Sequence, residues 1–264
     1  MRQLVLYATP APGKPIHITG KEYHYLIKVL RLKPGDSLDI RIPGGTLVPG
    51  IVLEVTGKSA VILLSDNGET EKTGGVGAAE LTVPVCGIWL FQWLAKGQKM
   101  DTIIRYAAET GVESIVPVAG EFSVAKDTGS GKMERWERIV REARQQSGSP
   151  VDTQLLHPHT ATEAISCWQR AAGTVSSRSF VLTEKTAPSS TGLHTGLEEK
   201  PRRVAIAVGP EGGISPAEMN LLQSGGFQPV HFRTNVLRTE TAALYGIAAV
   251  QIILSEYDSW HGNV

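Results

Sequence analysis

The chain has 264 residues, enough for one large or two modest domains, and its hydrophobic fraction of 41% is ordinary for a globular protein. Its 26 basic and 26 acidic side chains give no net charge. A polyanion would therefore have to bind a local basic patch, because the protein as a whole has no positive electrostatic field to attract it. No apolar run reaches the roughly 18 residues of a membrane span, and the first residues lack a signal peptide's apolar stretch, so we expect a cytoplasmic protein.

Up to about residue 65 the chain resembles a series of short strands and turns. The β-rich runs LVLYA, SLDIRI, GIVLEVTG and AVILLS are separated by turns containing Pro and Gly, which is typical of a small β-barrel or sandwich. One stretch, KEYHYLIKVLRLKPGD, predicts a helix. The following DNGETEKTGGVGAAE has almost no large apolar residues and predicts a linker. We therefore expect a first domain at residues 1–75 and a second at 76–264.

From about Leu81 onward, strand and helix patterns alternate, as in LTVPVCGIWLFQWL followed by GQKMDTIIRYAAETG. The apolar residues of the second stretch share one helical face, and Gly111 is a natural stop: Met100, Ile103, Ile104, Ala107 and Ala108. This alternation predicts an α/β domain with a mostly parallel sheet and helices on both faces. The polar segment EKTAPSSTGLHTGLEEKPR predicts a mobile surface loop. The two cysteines, Cys86 and Cys167, have no metal-ligand spacing and predict buried free thiols.

A glycine-rich loop, VGPEGGISPAE, follows a short apolar run at residues 204–208. Ligands of parallel α/β sheets bind at the carboxyl ends of strands, so this loop is a candidate site. Ser215 and Glu218 form a capping-box pattern with Pro216 in the first helical turn. A phosphate loop is disfavoured because Glu211 would face the phosphate and we expect no lysine nearby to offset its charge. Backbone contacts to a neutral ligand such as adenine, or a tight turn with no ligand, remain open.

Two nucleotide-binding fingerprints fail elsewhere in the chain. TGSGKM has Lys126 and Met133 where a Walker loop needs Gly and Ser or Thr. Gly75 and Gly77 begin a dinucleotide pattern, but Glu80 replaces its third glycine. These failures count against a nucleotide-dependent dehydrogenase or ATPase.

A second candidate stretch, NVLRTETAALYG at residues 235–246, opens the last long helix. Thr239 could cap this helix, and Glu240 could complement the positive end of its dipole. Arg238 has no such structural role, because a cation is disfavoured at a helix N-terminus. An arginine placed there favours a functional site.

VGPEGGIS and VLRTETAAL together resemble the ribosomal RNA small subunit methyltransferase E family. The resemblance extends over nearly the whole chain, including YHYLIKVLRLKPGD, KGQKMDTIIRYAAETGVESIVPV and RWERIVREARQQSG. Members are SPOUT-class enzymes that methylate the third ring position of one 16S rRNA uridine with S-adenosyl-L-methionine. The resemblance implies an N-terminal PUA-like β-barrel, a C-terminal SPOUT domain with a trefoil knot and a mostly parallel sheet, a homodimer, and no metal.

The family's cofactor site maps onto three loops of this chain. The resemblance implies cofactor binding by Leu182, Thr183 and Glu184; by Val208, Gly209, Pro210, Glu211, Gly212 and Gly213; and by Val236, Leu237, Arg238, Thr239, Thr241 and Ala242. It also implies that the glycines let the backbone close around adenosine. Phe122 and Ser149 stand where the family usually has arginine, which affects RNA positioning more than cofactor binding. A catalytically weakened RNA-binding assembly factor is therefore the alternative function.

Within that resemblance we expect two catalytic side chains. The uridine ring N–H is weakly acidic, so transfer needs its anion stabilised or its proton removed. Arg238 would donate to a uracil carbonyl as negative charge develops. Glu240 is the candidate general base, with its helix-dipole role as the alternative.

RNA binding is expected in the N-terminal domain. Residues 1–41 contain seven Lys or Arg and three acids. Tyr25, Lys28 and Arg31 fall at helical spacing and could share a face that contacts phosphate and a base, together with Arg2 and Lys33. A solvated surface is the alternative interpretation of this charge run.

Overall fold

The computed structural model describes residues 3–10, 14–65, 86–123, 129–173, 175–186 and 189–259. The chain divides into two compact units, Met1–Val83 with Arg144–Asp152, and Pro84–Ala143 with Thr153–Val264. The domain boundary predicted at residue 75, and the linker around it, lie outside the described residues. Among the described helices, none combines the length and apolarity required to cross a bilayer.

The first unit contains a five-stranded sheet. Its strands are β1 (Gln3–Val5), β2 (Ile16–Thr19), β3 (Ser37–Arg41), β4 (Leu47–Val55) and β5 (Ser59–Leu64). They lie in the order β1-β3-β4-β5-β2, with β1 parallel to β3 and the other pairs antiparallel. Leu38 and Ile40 of β3, Val52 of β4 and Ile62 of β5 point to one core. This confirms the β-rich N-terminal region, although β2 was not predicted.

The predicted helix in this unit differs from a regular α-helix. Helix α1 (Gly20–His24) continues into a π-helical turn, Tyr25–Val29, in which the Leu30 N–H donates to the Tyr25 carbonyl at 2.9 Å. Arg31 lies beyond its end with a φ of 56°, in the left-handed region. A π turn holds more residues than an α turn, so the α-helical spacing that grouped Tyr25, Lys28 and Arg31 on one face is wrong.

The remaining elements alternate between strand and helix as predicted. The strands are β6 (Gly87–Trp93), β7 (Ser114–Val118), β8 (Gln154–Leu155), β9 (Ser177–Leu182), β10 (Arg203–Val208) and β11 (Gln228–Val230). The helices are α2 (Lys99–Glu109), α3 (Ser130–Ser147), α4 (Ala161–Ala172), α5 (Leu193–Leu197), α6 (Pro216–Ser224) and α7 (Thr239–Ser259). The sheet order is β11-β9-β10-β6-β7-β8, and the described pairings in it are all parallel.

Side chains on both faces of this sheet are buried under helices. On β6, Ile88 and Leu90 pack in a core that includes apolar residues of α2, α3, α5 and α7. Trp89, Phe91 and Trp93, on the opposite face, pack with α4 and α6. A strand buried on both faces is a nearly continuous apolar run, which is why β6 and β10 were recognisable. The predicted α/β architecture is confirmed.

The polar segment before β10 was assigned wrongly. It was predicted to be a mobile surface loop, but it contains the short helix α5, whose Leu193 and Leu197 are buried in the core. The two leucines are four residues apart and therefore share a helical face. The prediction for α2 is confirmed: all five of its expected core residues are buried, and Gly111 follows with a φ of 75°.

The two cysteines differ in environment. Cys86 is buried, and burial followed by the charge of Glu113 raises the pKa of its thiol to about 12. Cys167 is half-buried, so the expectation of two buried thiols is wrong for it. Its helix, α4, turns its most buried face toward the aromatic cluster of the sheet, with Ile165 and Trp168 inside.

Candidate functional site

Three loops meet at one edge of the second sheet. Strands β10, β9 and β11 are neighbours and parallel, so the loops that follow them start at the same edge. These loops, together with the starts of α2, α6 and α7, border a cavity of about 500 Å³. Its volume is that of a small-molecule site, and its position is the one expected for ligands of parallel sheets.

Most of the residues predicted to bind cofactor border this cavity. They are Leu182, Thr183, Glu184, Val208, Gly209, Pro210, Glu211, Gly213, Val236, Leu237, Arg238, Thr239 and Ala242. Gly212 and Thr241 are exposed and do not line it, and neither does Glu240. The structure thus brings the three predicted loops together, while the ligand role of each residue stays a prediction.

Sequence reasoning missed several cavity residues. These are Lys99 at the start of α2, Ile214 and Met219 near the start of α6, and His231, Phe232, Thr234 and Asn235 between β11 and α7. The residues after β11 could have been inferred, because they lead directly into the VLRTETAAL motif. Lys99 lies more than 80 residues before the nearest predicted loop residue, and no sequence pattern connects the two.

The glycines of the β10 loop are explained by the loop's own backbone. Gly213 has a φ of 77°, and its N–H donates to the Pro210 carbonyl at 2.9 Å. A Cβ at Gly209 would lie 3.1 Å from Ile214 Cγ1 and 3.2 Å from the Gly213 carbonyl carbon. The turn itself therefore favours glycine at Gly213, whose φ strains any other residue, and leaves little room for a side chain at Gly209, whatever the loop binds.

The end of this loop is fixed by the start of α6, as the sequence predicted. The Ser215 hydroxyl accepts from the Glu218 N–H at 3.2 Å, and the Glu218 carboxylate accepts from the Ser215 N–H at 3.2 Å, with Pro216 in the first turn. The other Glu218 oxygen accepts from Trp93 Nε1 at 3.1 Å and from the Glu121 N–H at 3.2 Å. This buried carboxylate joins the loop to β6 and to the turn after β7.

A buried hydrogen-bond network joins the loop after β10 to the start of α7. The Thr239 hydroxyl donates to the Gly209 carbonyl at 2.7 Å and accepts from Gln92 Nε2 at 3.0 Å. Gln92, near the end of β6, also donates to the Trp93 and Val208 carbonyls at 2.9 and 3.3 Å. The hydroxyl therefore connects two of the predicted cofactor loops, a role different from the helix cap that the sequence allowed.

An ion pair at the same cavity shows that the expectation of no lysine near Glu211 was wrong, because folding brings in a lysine from a distant part of the chain. Lys99 Nζ is 2.8 Å from Glu211 Oε1 and 3.9 Å from Glu240 Oε2. Burial alone would raise the pKa of the Glu211 carboxyl, but hydrogen bonds from Lys99 and from backbone N–H groups, including that of Lys96, together with the charge of Lys99, lower it below its ordinary value. Glu211 is thus an ionised carboxylate that anchors the loop to the start of α2.

The charged groups lining the cavity balance. Lys99 and Arg238 are cationic, and Glu184 and Glu211 are anionic. Such a lining suits a ligand that carries both signs better than a polyphosphate, which requires an excess of cations. Within the parts of the chain that the structure describes, no three His, Cys, Asp or Glu side chains are grouped as a metal site.

The two residues that, according to the resemblance, stand where arginine is expected, Phe122 and Ser149, lie outside the cavity lining. Phe122 is 43% exposed and lies beside the β10 loop, since a Cβ at Gly212 would come within 3.3 Å of Phe122 Cβ. Ser149 is buried in the first unit, where its hydroxyl accepts from the Val151 N–H at 3.3 Å. Neither Phe122 nor Ser149 lines the cavity.

The predicted RNA-contacting residues are partly accessible. Lys28, Arg31 and Lys33 are exposed and Tyr25 is half-buried, while Arg2 lies outside the described residues. The π turn and the left-handed backbone at Arg31 set the direction of these side chains. A left-handed residue directly after a helix is a common way for a helix to end, so this backbone has a structural explanation and the RNA role stays a prediction.

Comparison with known proteins gives the family. A model of an RNA methyltransferase domain matches residues 83–251, and a model of an RNA methyltransferase PUA domain matches residues 18–65. The ribosomal RNA small subunit methyltransferase E of Aquifex aeolicus is 32% identical over 178 residues, covering 67% of this chain and 72% of the relative. Its namesake from Synechocystis sp. is 29% identical over 239 residues, covering 90% and 73%.

The fold is shared with solved structures over almost the full length. The ribosomal RNA small subunit methyltransferase E of Neisseria gonorrhoeae, bound to S-adenosyl methionine, superposes with a TM-score of 0.79 at 22% identity, covering 96% of this chain and 98% of that one. With the domain model matching most of the chain, and the Aquifex relative aligned through most of its own length, this chain belongs to the ribosomal RNA small subunit methyltransferase E family.

Proposed function

We propose that this protein binds S-adenosyl-L-methionine in the three-loop cavity and methylates the third ring position of a uridine in 16S rRNA. The observation that carries the proposal is the cavity itself, which the three predicted loops border in a chain of this family. The Neisseria relative, whose structure contains S-adenosyl methionine, supports the choice of cofactor. Since the substrate is ribosomal RNA, the reaction would take place in the cytoplasm.

The residues at the cavity fit this cofactor. Its sulfonium and amino-acid end carry charges of both signs, and the lining offers Lys99 and Arg238 beside Glu184 and Glu211. The Gly209 and Pro210 carbonyls already accept from Thr239 and Gly213, but each has a second lone pair that can accept from an adenine amino group. Leu182 and Leu237 can pack against the adenine ring.

The cofactor supplies an electrophilic methyl group, so the protein's contribution is alignment and electrostatics. Arg238 is exposed at the cavity and can donate hydrogen bonds to a uracil carbonyl as its oxygen gains negative charge. A guanidinium is always charged, so it can stabilise the ring anion over the whole working pH range. The two interpretations of Glu240, general base and helix-dipole partner, stay predictions.

Substitution of Arg238 tests this assignment. Arg238→Ala should slow methyl transfer at least about tenfold, because removing one transition-state donor usually costs more than that. Cofactor affinity by isothermal titration should fall by a smaller factor than the rate, because Arg238 is one of two cations in the cavity lining, and the thermal unfolding midpoint should stay near the wild-type value. Arg238→Lys, which keeps the charge without the planar donor pair, should recover only part of the rate. An unchanged rate in Arg238→Ala would remove Arg238 from the chemistry.

The modified nucleotide can be identified directly. Small subunits from cells lacking this chain should gain one methyluridine when incubated with the protein and S-adenosyl-L-methionine, as mapped by mass spectrometry. Methylation of another base or another ring position would overturn the specificity. Binding of cofactor and RNA without methyl transfer would favour an assembly factor instead.

RNA binding is proposed for the first unit. Lys28, Arg31 and Lys33 provide exposed cations, and contacts with phosphate make affinity fall steeply as salt rises. Replacing both Lys28 and Lys33 by Gln should weaken RNA binding. It should also reduce the slope of the logarithm of the RNA-binding constant against the logarithm of the salt concentration by about two. An unchanged slope would show that these residues belong to a solvated surface.

A homodimer is also proposed, together with the knot that the family resemblance implies. The apolar helix α7 leaves Tyr245 and Ile252 about half-exposed, and their seven-residue spacing places them on one face. A second copy of this chain would cover this face. Sedimentation should give twice the chain mass of 28.4 kDa, and Ile252→Glu should shift it toward the monomer. A monomeric wild type would overturn this proposal.

A further inference from the structure

Lys99 occupies a position that its helix does not favour. It is the first residue of α2, where the positive end of the helix dipole repels a cation. Its side chain is 34% exposed and lines the cavity. The same argument from the helix dipole led from sequence to Arg238, so Lys99 requires an explanation beyond local helix stability.

The partners of Lys99 come from two separate loops. Glu211, at 2.8 Å, belongs to the loop after β10, and Glu240, at 3.9 Å, belongs to the first turn of α7. The carboxylate of Glu211 also accepts from the Lys96 N–H, at 3.2 Å through Oε1 and 3.4 Å through Oε2. One ammonium therefore lies between the two segments that carry most of the predicted cofactor residues.

The Glu240 end of this arrangement is incomplete. Glu240 Oε2 is buried and has no hydrogen-bond partner among the described residues, while Lys99 Nζ lies beyond hydrogen-bond distance. An ammonium has three donors, and the bond to Glu211 uses one of them. A small movement of either segment would form the second bond, so the geometry allows a closed state that differs little from this one.

We propose that Lys99 is a positioning residue for the methyl donor: it links Glu211 to Glu240 and so holds the β10 loop and the start of α7 at the separation that the bound cofactor requires. This inference rests on the proposed function. It predicts an effect on cofactor affinity, with less effect on the rate of transfer, because Lys99 acts through the two loops.

The test measures the Kd for S-adenosyl-L-methionine by isothermal titration. Methyl transfer to small subunits then gives kcat and the KM for S-adenosyl-L-methionine. Lys99→Met should raise Kd and KM about fivefold, which corresponds to about 1 kcal/mol, and leave kcat within about twofold. Lys99→Arg should restore Kd to near the wild-type value, because it keeps the cation. Glu211→Gln should raise Kd by a similar factor. The double variant Lys99→Met with Glu211→Gln should have a Kd no higher than that of either single variant.

Arg105→Met is the matched control. Arg105 lies on the same helix, six residues after Lys99, is half-buried and does not line the cavity. The control removes the same charge and should leave Kd unchanged. If it weakens binding as much as Lys99→Met does, the effect is one of net charge and the inference is overturned.

The outcomes separate this inference from the proposed function. If the wild type does not bind S-adenosyl-L-methionine, the proposed function fails. If the wild type binds and Lys99→Met binds equally well, only the role of Lys99 is overturned. A variant that loses affinity only because it unfolds would lower the thermal midpoint. If Lys99→Met is unfolded in this way, Glu211→Gln serves as the test instead. A Kd for S-adenosyl-L-methionine equal to that of the wild type in Glu211→Gln would overturn the inference.

Discussion

The hydroxyl of Thr239 joins two of the proposed cofactor loops, and Thr239→Val removes it with almost no change in shape. The substitution deletes the 2.7 Å bond to the Gly209 carbonyl and the 3.0 Å bond from Gln92. Each such bond contributes about 0.5–1.5 kcal/mol net, and a buried carbonyl left without a donor adds to the loss. Unfolding free energy should therefore fall by about 2 kcal/mol. If all of this loss reappears in cofactor binding, Kd rises by at most about thirtyfold.

Urea denaturation of the ligand-free protein measures the first quantity, and isothermal titration with S-adenosyl-L-methionine measures the second. Thr239→Ser is the matched control, because it keeps the hydroxyl and should stay within about 0.5 kcal/mol of the wild type. If Thr239→Val loses less than about 0.5 kcal/mol and binds cofactor normally, the hydroxyl does not couple the loops. If stability falls but affinity does not, the network supports the fold and has no part in the site.

Three further predictions concern single groups. Arg31→Gly should be more stable than Arg31→Ala by about 1 kcal/mol in thermal unfolding, because only glycine relieves the left-handed backbone, and both should weaken RNA binding equally. At pH 8 a thiol reagent should modify Cys167 well before Cys86, whose raised pKa and burial suppress the thiolate; equal rates would contradict this. The pKa of the Glu211 carboxyl is lowered in the folded protein. Its ion pair therefore stabilises the fold at pH values above the ordinary Glu pKa of about 4.3, and this stabilisation is lost as the pH falls through the lowered pKa. The stability gap between wild type and Glu211→Gln should then shrink as pH is lowered below that ordinary value, and parallel stability curves would contradict it.

Periodicity and capping made much of the second unit predictable. The face of α2, the glycine after it and the capping box at Ser215 all depend on residues a few positions apart, and the structure confirms each of them. Helix α5 was missed because five residues in a polar segment carry too little pattern. Its two leucines become recognisable only once the core that buries them is known.

The π turn in the first unit could not be predicted either. Residues at Tyr25–Val29 have ordinary helical preferences, and the change from α to π spacing depends on how Leu26 and Leu32 enter the core beneath the sheet. The Leu32 N–H donates to the Leu26 carbonyl, six residues earlier, which is the mark of a helix end adapted to its packing. Local sequence sets where such a helix starts, whereas tertiary packing sets how it ends.

At the site, the motifs located the loops but not what holds them together. The β10 loop and the start of α7 were identified from their own residues, whereas Gln92 and Lys99 lie over 100 residues earlier in the chain. Neither carries a local signal, because a buried glutamine in a strand and a lysine at a helix start are compatible with many structures. Their roles depend on parallel strand order, which places the end of β6 next to that of β10.

The two connections between the loops differ in kind, and this difference has a consequence. Gln92 and Thr239 form a buried hydrogen-bond network whose strength salt does not change, whereas Lys99, Glu211 and Glu240 form a partly exposed ion pair that ions screen. Cofactor affinity in Thr239→Val should therefore become more sensitive to salt than in the wild type, because only the ion pair then joins the loops. In Lys99→Met the salt dependence of cofactor affinity should fall below that of the wild type, because the remaining connection between the loops is neutral. Titrations at two salt concentrations distinguish these cases, and equal salt dependence in all three proteins would show that the two connections do not share the same task.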